Sequence, residues 1–445
     1  MDELFRNAAA RAVCYLQGLS TRQVAPDEKA LAGLVEFDEP LPEGPDDPRR
    51  VLELLDRVGS PATMASAGPR FFGFVIGGSH PVAVAADWLA TAWDQNAGSS
   101  VASPVTARLE RVTQHWLIDL FGLPDTTAVG FVTGATMANM SALAAARHAV
   151  LERAGYDVDE HGLAGAPKLT VVVGDEVHPS VVKGLGLLGL GRQQVRRVPV
   201  DGQGRMRADA LPPIDGPTIV CTQAGNVNTG AFDPIADVVE WAHEGGAWVH
   251  VDGAVGLWAW ASPECAHLAR GLAGADSWAA DAHKWLNVPY DSGLAFVRDP
   301  EPLRAAMGVT AAYLPRSMMR ETNTPELSRR ARVVAVWATL RALGRSGVVD
   351  LVERNRGHAA RFAEGLRAAG YEILNDVELT QVLVTFGDEA TTRRVIAAIQ
   401  RDGTCWAGVT EWQGHTAMRI SVTGWQTTGD DVERSLAAII AAAKA

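Results

Sequence analysis

Basic charge is in short supply in this sequence. Lys and Arg number 40 against 52 Asp and Glu, a net charge of −12. A nucleic-acid surface needs a basic excess or a basic stripe. The short, interrupted cluster Arg192, Arg196 and Arg197 reads as a solvated face instead, so no nucleic-acid partner is expected. Long hydrophobic runs are absent as well. None approaches the roughly 20 residues that span a bilayer, and the acidic start MDELFRNAAARAVCYLQGL lacks the basic-then-apolar layout of a signal peptide. No membrane association is expected. Cysteine is scarce: Cys14, Cys221, Cys265 and Cys405 are scattered with no CxxC pair. That argues against a disulfide framework or a zinc site, predicts no bound metal, and fits a reducing, cytoplasmic location. No internal repeat or low-complexity segment stands out.

What is present is an ordinary globular composition, 47% hydrophobic and 21% charged over 445 residues. That length suits a large domain with one or two smaller ones. Residues 1 to about 25 read as a helix, EFDEPLPEGPDDPRR as a linker, VLELLDRVGS as a helix and GPRFFGFVIGGSHP as a turn-rich piece. Two amphipathic helices follow, PVAVAADWLATAWDQ and SPVTARLERVTQHWLIDLFGL. Then come seven short apolar runs: AVGFVTG, KLTVVVGD, QQVRRVPV, PTIVCTQ, AWVHVDG, DSWAAD and GLAFVRD. Runs of this length, mostly followed by helical sequence, predict a mostly parallel sheet buried on both faces. A polar loop, RSMMRETNTPEL, leads to two long helices, SRRARVVAVWATLRALGRSG and VVDLVERNRGHAARFAEGLRAAG. The tail alternates strand, helix, strand, strand, helix and predicts a small α+β unit. The expected organisation is an N-terminal helical segment over 1–70, a large α/β domain over 71–310, and a loop, connecting helix and small domain over 311–445.

Ligands of such sheets bind beyond the carboxyl ends of the strands, so the polar residues there carry the functional reading. GFVTGATMANMSAL is strand, turn, helix; Gly134, Ala135 and Thr136 would present free N–H groups to a phosphate, though a plain strand-to-helix turn looks much the same. His178, after VVVGDEV, could be a hydrogen-bonded core residue or a flat imidazole at a pocket. Asp252, in AWVHVDGAVG, could cap the next helix or pair with a protonated ring nitrogen, with Ala254 small enough to lie under a flat ring. Lys284, in DAHKWL, is either an exposed charge or a desolvated amine primed to attack an aldehyde. Each is ambiguous alone. Together, in this chain order, they are the parts that hold pyridoxal 5′-phosphate.

The motifs HPSVVKG, WVHVDGAVG, DSWAADAHKWLNVPYDSG, SPVTARLE and TPELSRRARVVAVWATLRALG resemble the group II pyridoxal-phosphate-dependent amino-acid decarboxylases, from about residue 70 to the C-terminus. The resemblance implies an aspartate-aminotransferase-like, fold type I architecture: a three-layer αβα large domain, a small C-terminal domain, and a homodimer with shared active sites to which residues 1–70 contribute. It implies Lys284 as the Schiff-base lysine, Asp252 as the pyridine-nitrogen partner, His178 stacked on the ring and Ala254 on its other face. It places Ala135 and Thr136 on the phosphate with His283 and Ser277 nearby, and Asn226 or Asn228 toward the ring hydroxyl. Phe72, His80, Trp93 and Gln95 are implied to line the substrate side-chain pocket. Arg419 resembles a position that holds a carboxylate in related transaminases, with a structural ion pair as the alternative; Arg330 and Arg332 are expected to position the loop and interface.

The implied activity is decarboxylation of an L-amino acid with an aromatic or medium polar side chain to the amine and CO2. The family's usual proton donor is a loop tyrosine; here Asn323 stands near that place, which leaves Tyr313 or His178 to protonate, or protonation poor. An oxidative aldehyde synthase or a carbon–carbon lyase on the same scaffold is therefore an alternative. A catalytically silent relative acting as a binding protein is another, against which the intact Lys284, Asp252 and His178 argue.

Overall fold

The computed structural model describes residues 1–309 and 322–445. The seven apolar runs expected as strands form one sheet. They are β1 (Ala128–Val132), β2 (Thr170–Gly174), β3 (Val195–Val198), β4 (Thr218–Gln223), β5 (Trp248–Asp252), β6 (Ser277–Asp281) and β7 (Gly293–Val297), in the order β1-β7-β6-β5-β4-β2-β3. Strands β3, β2, β4, β5 and β6 pair in parallel. Strand β7 runs antiparallel to both β6 and β1. Residues 282–292 between β6 and β7 contain no helix, and a parallel return needs a crossover of a dozen or more residues.

Side chains alternate between the two faces of this sheet. Val129, Phe131, Val220, Val249, Val251 and Trp278 point to a layer containing the helices Pro81–Trp93, Pro104–Leu120 and Ile235–Glu244. Ala128, Val171, Val173, Ile219, Cys221 and Trp248 point to the helices Ala135–Arg153, Pro179–Leu187 and Pro300–Met307. Three layers result. Each buried Val or Leu contributes about 1.5–3 kcal/mol, so a polar side chain on these strands must recover its desolvation cost through hydrogen bonds. The strands carry several, and Gln223, Asp252 and Asp281 close the carboxyl ends of β4, β5 and β6.

A long helix, Val333–Ala368, joins the two units. It is interrupted at Gly344 (φ 63°, ψ −179°), a conformation that glycine adopts without steric cost; the two helices read from the sequence meet there. Its first turns pack in the large core through Val333, Val334 and Val336. Its last turns pack in the second core through Ala359, Phe362 and Leu366. The second sheet is antiparallel, β10-β11-β9-β8, from β8 (Glu372–Ile373), β9 (Gln381–Thr385), β10 (Gly408–Trp412) and β11 (His415–Ser421). Its helices start at true caps: Asp388 accepts from the Thr391 N–H, and Thr428 forms a capping box with Asp431. The expected boundary near residue 71 falls where the chain is laced into this unit. Phe72 N–H donates to the Trp406 carbonyl (2.8 Å), and Ser421 N–H to the Phe72 carbonyl (3.0 Å). The first helix, Asp2–Gly18, ends before the expected residue 25 and buries none of its side chains. Among the described residues no helix is long and apolar enough to cross a membrane.

Candidate active site

Period-two alternation puts Trp248, His250 and Asp252 of β5 on one face, with Ser277 and Asp281 of β6 beside them. The helix Ala135–Arg153 covers that face with small residues, Ala138, Ala142, Ala145 and Ala146 all being buried. Asn139 interrupts the small residues and meets the polar strand ends. Its Nδ2 lies 3.2 Å from Asp252 Oδ2 and 3.1 Å from Ser180 Oγ, and its Oδ1 lies 2.9 Å from His250 Nε2. Asp252 Oδ1 accepts from the Ala254 N–H at 3.2 Å. His250 Nδ1 lies 2.9 Å from Ser277 Oγ, which also accepts from Trp248 Nε1 at 2.9 Å.

His178 closes the opposite side. It caps the helix Pro179–Leu187, its Nδ1 accepting from the Ser180 N–H at 3.2 Å and meeting Ser180 Oγ at 2.7 Å. Burial lowers the His178 pKa; Asp252 pulls it up, and Lys284 and Arg419 push it down. His250, fully enclosed, is pushed down to about 4.

Lys284 sits on the turn after β6, and that turn is clamped. A Cβ on Gly77 would lie 1.7 Å from the Lys284 carbonyl oxygen, so only glycine fits there. Asn287, fully buried and at φ 57°, donates to the Trp285 and Thr423 carbonyls and accepts from the Gly78 and Trp425 N–H groups. The lysine's turn is thereby tied to the stretch before Pro81 and to the C-terminal unit at once.

These groups enclose a cavity of about 410 Å³. Of the residues expected at the site, Lys284, Asp252, His178, Ala254, Ala135, Thr136 and His283 line it together. At its phosphate-like end the Ala135 N–H donates to Asp281 Oδ2 at 3.0 Å, and Asp281 Oδ1 lies 2.6 Å from His283 Nδ1. Phe74, Met137, Val227 and Val255 supply apolar wall. Phe74 and the following Val75 both have positive φ, 52° and 56°, a strained pairing that turns the Phe74 ring onto Trp406, 5.1 Å between centroids.

Several expected residues lie elsewhere. Phe72 is a core residue, 1% exposed and edge-on to Phe362 at 5.1 Å; the turn at Gly73 sends Phe74 to the cavity in its place. Ser277 lies beneath the cavity as the partner of His250. Asn226 is buried in its own turn, its Oδ1 accepting from the Asn228 and Thr229 N–H groups. Asn228 accepts from Thr410 and Arg419. His80 packs on Trp425 at 5.1 Å, below the lysine's turn. Trp93 and Gln95 end the helix Pro81–Trp93 and its following turn, and Gln95 lines a separate cleft with Arg329 and Arg330. Arg330 pairs with Asp87 and Arg332 with Asp291. Arg419 donates to the Val227 carbonyl and to Asn228 Oδ1, both at 3.3 Å, and has no ion-pair partner among the described residues. Asn323 donates to the Val129 carbonyl at 3.2 Å, on edge strand β1, and does not line the cavity. Tyr313 lies outside the described residues.

The sequence reading missed Asn139, Ser180, His250 and Asp281. Two had a signal: His250 stands two residues before Asp252 on the same strand face, and Asp281 ends β6 as Asp252 ends β5.

The donor set fits pyridoxal 5′-phosphate. An amine stands ready for its aldehyde, an acceptor-only carboxylate for its ring nitrogen, an imidazole for its face and a helix N-terminus for its phosphate. Fold and site together define a pyridoxal-phosphate-dependent enzyme of fold type I. Within that class the chain belongs to the pyridoxal-dependent decarboxylases: the model of the pyridoxal-dependent decarboxylase conserved domain matches residues 32–387. Among its relatives, the aromatic-L-amino-acid decarboxylase of Bacillus atrophaeus is 27% identical over 88% of this chain and 85% of its own. Two solved structures share the fold. Oryza sativa TDC with PLP and tryptamine has a TM-score of 0.91 at 21% identity, covering 100% of this chain and 97% of that one. Rhodiola rosea 4-hydroxyphenylacetaldehyde synthase has a TM-score of 0.84 at 22% identity, covering 98% and 96%. The chain is a pyridoxal-phosphate-dependent amino-acid decarboxylase.

Proposed function

We propose that the substrate is an L-amino acid with an aromatic or medium polar side chain, released as the amine and CO2. The observation that carries this is the wall of the cavity. Phe74, Met137, Val227 and Val255 line it, and among the described residues the nearby cations, Lys284 and Arg419, stand on the cofactor side and behind Val227. A side-chain carboxylate would find no free cation on the apolar wall, whereas a ring would find the face of Phe74.

When bound, pyridoxal 5′-phosphate supplies the electron sink for the bond broken as CO2 leaves. The chain does the rest. Lys284 Nζ anchors the aldehyde carbon. Asp252, an acceptor on both oxygens, holds a proton on the ring nitrogen. His178 presents its remaining ring nitrogen to the cavity, and Ala254 leaves room for a flat ring. The apolar wall excludes water from the carboxylate to be lost, which favours its departure as neutral CO2. Arg419, desolvated and without an ion-pair partner among the described residues, is the candidate to hold the substrate carboxylate until then.

The same reading gives a homodimer. Phe5, Leu31, Val35, Trp88 and Leu89 are exposed apolar side chains that a second copy would cover, and Trp93 and Gln95 are then candidates to face the partner's cavity. The domain division is a large unit built on the seven-stranded sheet and a small one built on the four-stranded sheet, with residues 1–70 serving the dimer.

Incubating the holoenzyme with a mixed amino-acid pool and identifying products by mass spectrometry tests the proposal. Aromatic amines with stoichiometric CO2 and no O2 uptake are expected. Amines only from acidic amino acids would refute the substrate assignment. Aldehyde with O2 uptake would establish the second reading, an oxidative aldehyde synthase, which the placement of Asn323 on β1 rather than at the cavity favours.

A further inference from the structure

We propose that Asn139 is a positioning residue that sets two cofactor-facing groups at once: the Asp252 carboxylate directly, and the His178 imidazole through Ser180. The proposal rests on the cofactor reading above and concerns a residue buried behind the cavity.

The argument is one of hydrogen-bond polarity. A carboxylate can only accept, so Asp252 Oδ2 draws Asn139 Nδ2 to itself and leaves Oδ1 facing His250 Nε2, while Trp248 Nε1, a donor only, takes one lone pair of Ser277 Oγ and leaves the serine hydroxyl proton available to His250 Nδ1. His250 then carries its single proton on Nε2 and donates it to Asn139 Oδ1; burial keeps this imidazole neutral. The Asn139 amide is thereby oriented, its Nδ2 protons reaching Asp252 Oδ2 and Ser180 Oγ. Ser180 Oγ, already accepting, gives its own proton to His178 Nδ1, which also accepts the Ser180 N–H. His178 must therefore carry its proton on Nε2, the one ring nitrogen left for the cavity. A flipped Asn139 amide would set its carbonyl oxygen against the Asp252 carboxylate and its NH2 against the His250 N–H, two repulsive contacts in a site where Asn139 and His250 are both fully buried. Every member of the chain from Trp248 to His178 thus has one polarity, and Asn139 is its branch point.

The branches make separable expectations in the purified, cofactor-loaded enzyme. Asn139→Asp keeps the shape but turns the Asp252 branch from attraction to like-charge contact. Cofactor dissociation should rise at least tenfold, the visible band of the bound cofactor should shift, and kcat should fall at least a hundredfold with KM within about threefold. Ser180→Ala cuts only the His178 branch. It should leave the cofactor constant within about twofold and the band in place while lowering kcat at least fivefold. Asn139→Ala should combine both losses; if the hole it leaves prevents folding, the isosteric Asp variant and Ser180→Ala still decide. Wild-type cofactor affinity and spectrum in Asn139→Asp, with only a lower melting temperature, would overturn the proposal. So would Ser180→Ala weakening the cofactor as much as Asn139→Asp. A wild-type protein that takes up no cofactor would overturn it together with the cofactor reading, whereas normal uptake by wild type and variants alike would overturn it alone.

Discussion

Replacing Asp252 by Asn removes one charge and almost no volume, which makes it the sharpest probe of the site. Asp252 is 6% exposed and accepts on both oxygens, from the Ala254 N–H and the Asn139 amide, at 3.2 Å each. An amide there keeps one acceptor and turns a donor toward another donor, which costs about 1–3 kcal/mol in stability. The larger effect falls on the reaction. An opposite charge about 4 Å away in a partly enclosed site contributes about 4 kcal/mol at an effective dielectric near 20, and that attraction keeps the ring nitrogen protonated. Its loss corresponds to about a thousandfold in rate. The assay is CO2 release under saturating cofactor and substrate, with the visible spectrum recorded to confirm loading. A kcat within tenfold of wild type, in a loaded and folded variant, would refute the assignment of Asp252 to the ring nitrogen.

Other consequences follow from individual contacts. His250 is pushed down to about 4 from an ordinary value near 6.5, so the unfolded chain binds the extra proton between those values. The stability this group contributes is present above about pH 6.5 and falls away toward pH 4, by about 3 kcal/mol; His250→Asn should flatten that part of the melting-temperature profile, and an unchanged profile would contradict it. Asp281 places a carboxylate on the Ala135 N–H at the phosphate end, so Asp281→Asn should tighten cofactor binding about tenfold, or about 1.4 kcal/mol, in a fluorescence titration; weaker binding would show that the carboxylate assists the phosphate. Asn323 holds the Val129 carbonyl on β1, so Asn323→Tyr should leave the amine-to-aldehyde ratio unchanged and cost about 1 kcal/mol of stability. A raised ratio would show that the segment reaches the cavity.

The seven-stranded sheet was legible because each strand is a short apolar run closed by a polar or glycine signal, and burial on both faces removes the ambiguity of alternation. The antiparallel turn of β7 was not legible: it depends on the length of the helix-free link, which the apolar runs do not report. β8 spans only Glu372–Ile373 and is too short to leave a pattern. At the site, Lys284, Asp252 and His178 could be read because motif and strand end coincide. The substrate wall could not, because FFGF offers three aromatics and the choice falls on a backbone turn: Gly73 admits Trp406, whose ring would lie 2.0 Å from any Cβ there. Asn139 looked like one polar residue in an alanine-rich helix, and its partners are distant in sequence: Ser180 is 41 residues downstream, and Asp252 and His250, both on β5, are 113 and 111.

The measurement closest to the centre of this account is reduction of the cofactor-loaded protein with borohydride, followed by peptide mass spectrometry. The chain has five lysines, at 29, 168, 183, 284 and 444, so the readout discriminates. A pyridoxyl-phosphate adduct confined to Lys284, abolished in Lys284→Ala, is the expected result. An adduct on another lysine, or none in a protein that still releases CO2, would contradict the assignment.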